Sequence, residues 1–350
     1  MRYSNVFIES FGYELAPNII TTAQLEKKLE PFFNAMGFDS GQLEALTGIK
    51  ERRYWDEDHT LADHAAIAGQ KALDKAQISC EDIGALAYCG VCSDGFEPAT
   101  SCAVADKLKL NRNTHVFDVK NACLGVITGM VHVANEIALG NIKAGLIVSC
   151  ETARQIVEST IKEINSKMSI DFYKKTVATM TGGSGAAAVL LTDGSVEYSN
   201  NRKHKIVGGI VRNRIQHWDL CHWGFEKNGM PTDSKIIMRT NARSVLEYGI
   251  ELVLSTFKEF KKEFDLPENQ PDKFIGHQVG ALHHQQFYQA LNVDMKKDFA
   301  TFPFLGNIGT VSLPITAAIA DEKGFLKPED FVAFIGVGSG LNCYILGIEW

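Results

Sequence analysis

His115-Val-Phe-Asp-Val-Lys-Asn-Ala-Cys-Leu-Gly125 reads as a strand ending near Val119, a short turn, and a helix opening at about Cys123. The stretch that follows, Val126 to Leu139, is apolar nearly all round, as a helix buried between layers must be. Backbone N–H groups at such a helix start favour a thiolate and can hold the oxyanion of a thioester. Ala122 and Gly125 are small enough for a cramped turn. Cys123 is therefore either a buried structural cysteine or a nucleophile, and both readings fit the local sequence. The other seven cysteines have no such setting.

Outward from this turn, four short runs are apolar on both faces: Ala85–Val91, Gly145–Ser149, Ala186–Leu191 and Phe331–Ile335. Doubly buried strands read this way. Leu61 to Ala76 has the spacing of an amphipathic helix. The alternation indicates an α/β protein with helices on and between sheets. Gly183-Ser-Gly185 and Gly338-Ser-Gly340 form a faint repeat, each expected to mark a tight turn between two strands. On that reading the chain is two related halves, 1–195 and 196–350. The polar stretch Thr192 to Asn201 supplies the break, near 193–205. Cys123 lies 60 positions before Gly183, whereas Asn307 lies 31 before Gly338. The first half therefore carries about thirty extra residues, near 155–180, with Glu158 to Thr176 the candidate segment. Insertions of this kind form lids, caps or oligomer contacts.

Composition narrows the function classes. A net charge of −7 over 350 residues argues against a broad nucleic-acid surface. The start, Met1 to Ser10, lacks the apolar core of a signal peptide, and no apolar run reaches the ~18 residues of a membrane span. Eight scattered cysteines fit reduced thiols in a cytoplasm.

Two more segments carry chemical side chains at strand ends. Phe274-Ile-Gly-His-Gln-Val279 ends a strand in a polar pair, and a lone His277 there is structural or catalytic. Phe304-Leu-Gly-Asn-Ile-Gly-Thr310 places Asn307 before a helix expected over Thr310 to Asp321, as a turn residue, a cap or a site residue. Taken together, Cys123, His277 and Asn307 each fall on a loop at a core strand's end, where α/β sites gather. Cys89-x-x-Cys92 lacks a second pair and reads as core, so no metal site is expected. His283-His284 sits on a helix face and reads as inert. Gly182-Gly-Ser-Gly185 leads into a strand and is no phosphate loop.

Asn-Ala-Cys123-Leu-Gly, Gly-His277-Gln, Gly-Asn307-Ile-Gly and the closing Gly336-Val-Gly-Ser-Gly-Leu-Asn342 resemble the motifs of ketoacyl synthase III enzymes in the thiolase superfamily. Gly48-Ile-Lys-Glu-Arg-Arg53 is similar to that family's early segment. The likeness spans essentially the whole chain. It implies a duplicated, five-layered α-β-α-β-α fold and an acyltransferase that works on coenzyme A thioesters without a bound cofactor. Where the family usually has His-Gln-Ala-Asn, this chain has His277-Gln-Val-Gly280. That change, Ser93-Asp-Gly-Phe-Glu-Pro-Ala99, Leu15-Ala-Pro17 and Arg52-Arg-Tyr-Trp-Asp56 resemble the OleA branch, which condenses two long fatty acyl-CoAs head to head.

The resemblance implies roles. Cys123 takes the first acyl group. His277 and Asn307 hold the second thioester oxygen, and the N–H groups of Cys123 and Ser339 hold the first. Two plain acyl-CoAs offer no carboxylate to lose, so a base must remove an α-proton. Glu97 is that base, reaching the neighbouring subunit's site, which implies a homodimer. The product is a 2-alkyl-3-oxo acid or thioester, the first step towards long-chain olefins or ketones, with downstream olefin-pathway enzymes as possible partners. Arg52, Arg53, Arg212, Arg214 and Arg239 are candidates for the CoA phosphates; a solvated basic face explains each equally well. The alternatives are a ketoacyl synthase III using malonyl carrier protein, a non-catalytic partner of the same fold, and an acyl-CoA hydrolase.

Overall fold

The computed structural model describes residues 1–195, 204–226 and 235–350. Its strands are β1 (Phe7–Leu15), β2 (Asn18–Thr21), β3 (Glu51–Tyr54), β4 (Ala85–Tyr88), β5 (His115–Asp118), β6 (Ala144–Glu151), β7 (Gly185–Thr192), β8 (His204–Asn213), β9 (Cys221–Phe225), β10 (Ile236–Thr240), β11 (Lys273–Gly276), β12 (Phe331–Gly338) and β13 (Asn342–Glu349). Its helices are α1 (Thr22–Met36), α2 (Gln42–Thr47), α3 (Leu61–Ala76), α4 (Thr100–Lys107), α5 (Gly125–Ala138), α6 (Arg154–Lys167), α7 (Ile170–Thr176), α8 (Ala242–Glu263), α9 (Ala281–Ala290), α10 (Phe302–Leu305) and α11 (Ser312–Glu322).

Nine strands hydrogen-bond in the order β11-β12-β13-β8-β1-β7-β6-β4-β5. The seam between β1 and β8 is only two residue pairs long, Phe7–Lys205 and Ile8–His204. Either side of it the same arrangement recurs. In one direction β7 is antiparallel to β1 and to β6, and β6, β4 and β5 run parallel. In the other, β13 is antiparallel to β8 and to β12, and β12 is parallel to β11. A single parallel bridge, Phe274 to Asp298, stands where a fifth strand would lie. Of the expected break at 193–205, residues 196–203 lie outside the described residues.

Side-chain alternation builds the layers. Along β12, Val332 and Phe334 face one way and Ala333 and Ile335 the other. The first pair joins Ile147 and Val189 of the opposite half around Val126, Met130 and Val133 of α5 and Leu313 and Ala317 of α11. Those two helices form the middle layer. On the outside, α3 packs its alanines on Leu86, Leu146 and Leu190, and α8 packs Leu252, Val253 and Phe260 on Ala333, Ile335 and Ile345. The result is the expected α-β-α-β-α stack.

Three sequence expectations change. Gly338-Ser-Gly340 does turn between β12 and β13, but Gly183-Ser-Gly185 does not join two strands: a 3₁₀ turn, Val177–Thr181, precedes it. The first half's equivalent hairpin has been opened. Its strands β6 and β7 pair from Glu151 and Gly185 onward, and α6, α7 and the 3₁₀ turn occupy the gap. There Val157, Ile161, Ile164 and Met180 pack on Leu25, Leu29 and Phe32 of α1. The helix expected to open at Cys123 opens at Gly125, and the one expected at Thr310 opens at Ser312 after a short 3₁₀ turn. Pro314 then falls in the first turn, where its missing N–H is no loss.

Helix α3 lies unusually close to β1. A Cβ on Gly12 would sit 2.1 Å from the Ala68 carbonyl oxygen and 2.6 Å from the Ala72 nitrogen. Backbone atoms cannot yield as a side chain can. Gly12→Ala should therefore cost about 1–3 kcal/mol or more of unfolding free energy, as overpacking does. A lowered denaturant midpoint is the readout; an unchanged one would show that α3 can shift freely.

Candidate active site

Cys123 sits between β5 and α5 on a turn gripped by the second half. Ala122 is forced to φ +46, and the Leu124 and Gly125 N–H groups close back on Asn121 and Ala122. The buried Leu124 side chain fills the space above Gly336 and Gly338, where an added Cβ would come within 2.5 and 2.9 Å of it. Asn342 Nδ2 donates to Asn121 Oδ1 at 3.1 Å, and the Val126 N–H donates to Thr310 Oγ1 at 2.7 Å. The glycines of the closing motif are thus what lets β12 and β13 approach the cysteine turn.

The thiol differs from its sequence expectation. Burial, followed by the nearby Cys221 and Glu151, pushes Cys123 up to about 12, while its own backbone hydrogen bond works the other way. Cys123 stands ahead of the first turn of α5, so desolvation outweighs the helix start. The resting side chain is a protonated thiol at neutral pH.

His277 continues β11, its N–H donating to the Ile335 carbonyl at 3.0 Å. Burial pushes its ring down to about 4, opposed by a hydrogen bond with the Gly309 backbone. The imidazole is neutral, and its Nδ1 has no hydrogen-bond partner. Asn307 is held on three sides: its N–H donates to Thr181, its carbonyl accepts from Gly183, and its Oδ1 accepts the Gly309 N–H at 3.1 Å. With Oδ1 taken, the Nδ2 donors are what Asn307 presents. Cys123, His277, Asn307 and Ser339 line one cavity. Cys123, Asn307 and Ser339 also line a second, on the side of Glu151 and Trp223. Two voids therefore meet at the cysteine.

Glu97 is not brought to this cavity. It lies exposed on the loop between β4 and α4. The loop itself is anchored: Asp94 accepts the N–H groups of Leu61 and Ala62 at the start of α3, and Lys120 Nζ donates to Ser93 Oγ at 3.0 Å. Beside Glu97, Phe96 is 75% exposed.

Similarity to known proteins agrees with this geometry. The 3-oxoacyl-[acyl-carrier-protein] synthase III pattern matches residues 117–207, and its C-terminal counterpart matches 262–350. The acyl-CoA:acyl-CoA alkyltransferase of Shewanella oneidensis is 46% identical across the full length of both chains. The chain belongs to the OleA family of acyl-CoA:acyl-CoA alkyltransferases. The alkyltransferase of Xanthomonas campestris is 32% identical over the full length of both. A crystal structure of X. campestris OleA superposes with a TM-score of 0.92 at 32% identity, covering all of this chain and 98% of the other. Solved forms of that protein include variants of one cysteine, one glutamate and one histidine, and a cerulenin-bound form.

Within this OleA-family site, one of the five arginines faces a basic depression. Arg52 is fully buried, donating to Thr22 Oγ1 at 2.8 Å and the Met180 carbonyl at 3.1 Å. It is an internal strut and cannot meet a solvent-borne phosphate, which corrects the sequence reading. Arg53 donates to the Ala16 carbonyl at 3.3 Å. Arg212 pairs with Glu259 and Arg214 with Glu251, both on α8. Arg239 lies over the Phe172 ring and 3.8 Å from Glu163, lining a depression with Lys174, Lys175, His222 and Arg243. The two lysines come from the insertion.

Three further groups support the site, and only His284 among them had been assigned a part, that of an inert residue. Gln278 is a strut: its Oε1 accepts the Thr301 and Phe302 N–H groups and its Nε2 donates to the Phe299 carbonyl. His284, read as inert, is bound to the buried Asp298, which Tyr288 also engages. Glu151 is buried in the second cavity's wall.

His277 gives a pH test. Its folded pKa of about 4 lies below the ordinary 6.5, so its neutral burial contributes stability above pH 6.5 that is lost as pH falls towards 4. His277→Asn should flatten this acid slope of the unfolding midpoint. An identical slope in the variant would place the protonation elsewhere.

Proposed function

We propose that the protein joins two fatty acyl-CoA molecules head to head by a Claisen condensation without decarboxylation. What carries this reading is the convergence of Cys123, His277 and Asn307 on one cavity, while Glu97, the only base the pattern supplies, stands on a surface loop. The walls beyond the site fit alkyl chains: Val245, Leu246, Ile250, Phe287 and Val337 line the first cavity.

In the first half-reaction the Cys123 sulfur attacks the acyl thioester carbon, its proton leaves, and the CoA thiolate departs and is protonated. A thiol held near 12 must lose its proton as the new bond forms. The neutral His277 and the Nδ2 of Asn307 suit the second acyl-CoA, whose carbonyl oxygen gains negative charge when its α-proton is removed. Glu97 of a partner subunit takes that proton. The resulting carbanion attacks the acyl-Cys123 carbon, a C–C bond forms, and the cysteine sulfur leaves and is reprotonated. The product is a 2-alkyl-3-oxoacyl-CoA thioester, released as such or, once water hydrolyses the thioester and CoA leaves as the thiol, as the free acid, for a downstream enzyme on the way to long-chain olefins or ketones. A homodimer follows from the need for Glu97. The CoA phosphates fit Lys174, Lys175, Arg239 and Arg243. We place the enzyme in the cytoplasm. All eight cysteines are free thiols, and no helix among the described residues is long and apolar enough to cross a membrane.

The test is purified protein with myristoyl-CoA alone, products read by mass spectrometry. A 2-alkyl-3-oxo product supports the reading; product only when malonyl carrier protein is added would assign a ketoacyl synthase III instead. Glu97→Ala should still form acyl-Cys123 but condense about 10²–10⁴-fold more slowly. Co-expressed Glu97→Ala and Cys123→Ala subunits should regain activity that neither variant has alone. Absence of any regain would place the base in the same chain.

The basic depression gives a separate expectation. Lys174→Glu combined with Arg239→Glu should raise KM for acyl-CoA with little change in kcat, most strongly at low salt. An unchanged KM would move the CoA site elsewhere.

A further inference from the structure

The mechanism above leaves unused the buried carboxyl group beside Cys123. Glu151 ends β6, a strand buried along its whole length, and is itself 3% exposed in the wall of the cavity beside Cys123. Its Oε1 accepts the Val91 N–H at 3.0 Å and its Oε2 the Cys92 N–H at 3.2 Å. The Thr310 backbone makes a further hydrogen bond to the carboxylate. Gly309, at φ +58, lies so near that an added Cβ would stand 3.1 Å from the Glu151 carboxyl carbon.

These partners belong to the parts that must cooperate. Val91 and Cys92 begin the loop that carries Glu97. Gly309 donates to Asn307 Oδ1 and its backbone also bonds His277. Thr310 Oγ1 receives the Val126 N–H, in the first turn of the helix behind Cys123. An apolar side chain would fill this wall with less desolvation cost. A carboxylate offers both of its oxygens as acceptors, so it can take backbone N–H donors from two loops at once.

We propose that Glu151 is a positioning residue for the condensation step, clamping the Glu97-bearing loop and the Asn307 turn to one point beside Cys123. The proposal rests on the reading of Glu97 as the base. It assigns Glu151 no proton transfer. Its work is double: it holds this chain's Glu97 loop in place for the partner subunit's site, and it holds the Asn307 turn for the second thioester in its own site.

Glu151→Gln tests it. The amide keeps the shape of the side chain but turns an NH₂ group towards one of the N–H donors, so the clamp is loosened. Rates are counted per acylatable Cys123, which removes unfolded chains from the comparison. With myristoyl-CoA, acylation of the variant should not slow, because losing the charge beside Cys123 eases loss of the thiol proton, and its KM should hold. Its kcat for condensation should fall about 10–100-fold, as a misplacement of this kind costs. Exchange of the acyl-CoA α-protons into D₂O should slow in parallel. Condensation at the parental rate per acylated site, or acylation and condensation falling by one common factor, would overturn the clamp. A parental enzyme that makes no condensed product would sink the assigned activity and the clamp with it. A condensing parent beside an unaltered variant sinks the clamp alone.

Discussion

Leu124 wedged against Gly336 and Gly338 is the contact on which the rest depends. It is where the two halves of the chain touch at the site, and it works because one side supplies bulk and the other supplies none. Sequence order puts Cys123 in the first half and His277 and Asn307 in the second. Neither half has a complete site. The wedge, reinforced by Val126 on Thr310 and Asn342 on Asn121, locks the cysteine turn onto the hairpin and the asparagine turn of the other half. The geometry of the candidate site is thus a property of the interface between halves.

The fold was largely readable because its signals are local and redundant. Helix α3 falls on Leu61–Ala76, the range its periodicity gives, and the buried strands fall on the doubly apolar runs. Cys123, His277 and Asn307 were readable for the same reason: each stands where an apolar run stops and a glycine follows. What escaped was set by tertiary contacts. Arg52 looks like any surface arginine beside Arg53, yet strand alternation on β3 turns one inward and the other partly outward. Glu151 reads as the polar end of a strand, and nothing nearby in sequence announces Val91 or Thr310 as its partners.

The thiol of Cys123 shows why local reading can err in sign. A cysteine near a helix start suggests an acidic thiol. Here the same burial that shapes an acyl pocket removes the water a thiolate needs, and the nearby Glu151 adds to the effect. A cavity with apolar walls does not also bathe the thiol that lines it. The neutral His277 follows from the same desolvation.

The missing fifth strand of the second half has an architectural consequence. At one end of the nine-stranded sheet, β11 is covered by the strip around Asp298, whose side chain is occupied by His284 and Tyr288. At the other end, β5 pairs only with β4. The sheet therefore has a closed margin and an open one. An unpaired row of backbone N–H and C=O groups is a template for further strand pairing, so the uneven ends make the sheet directional.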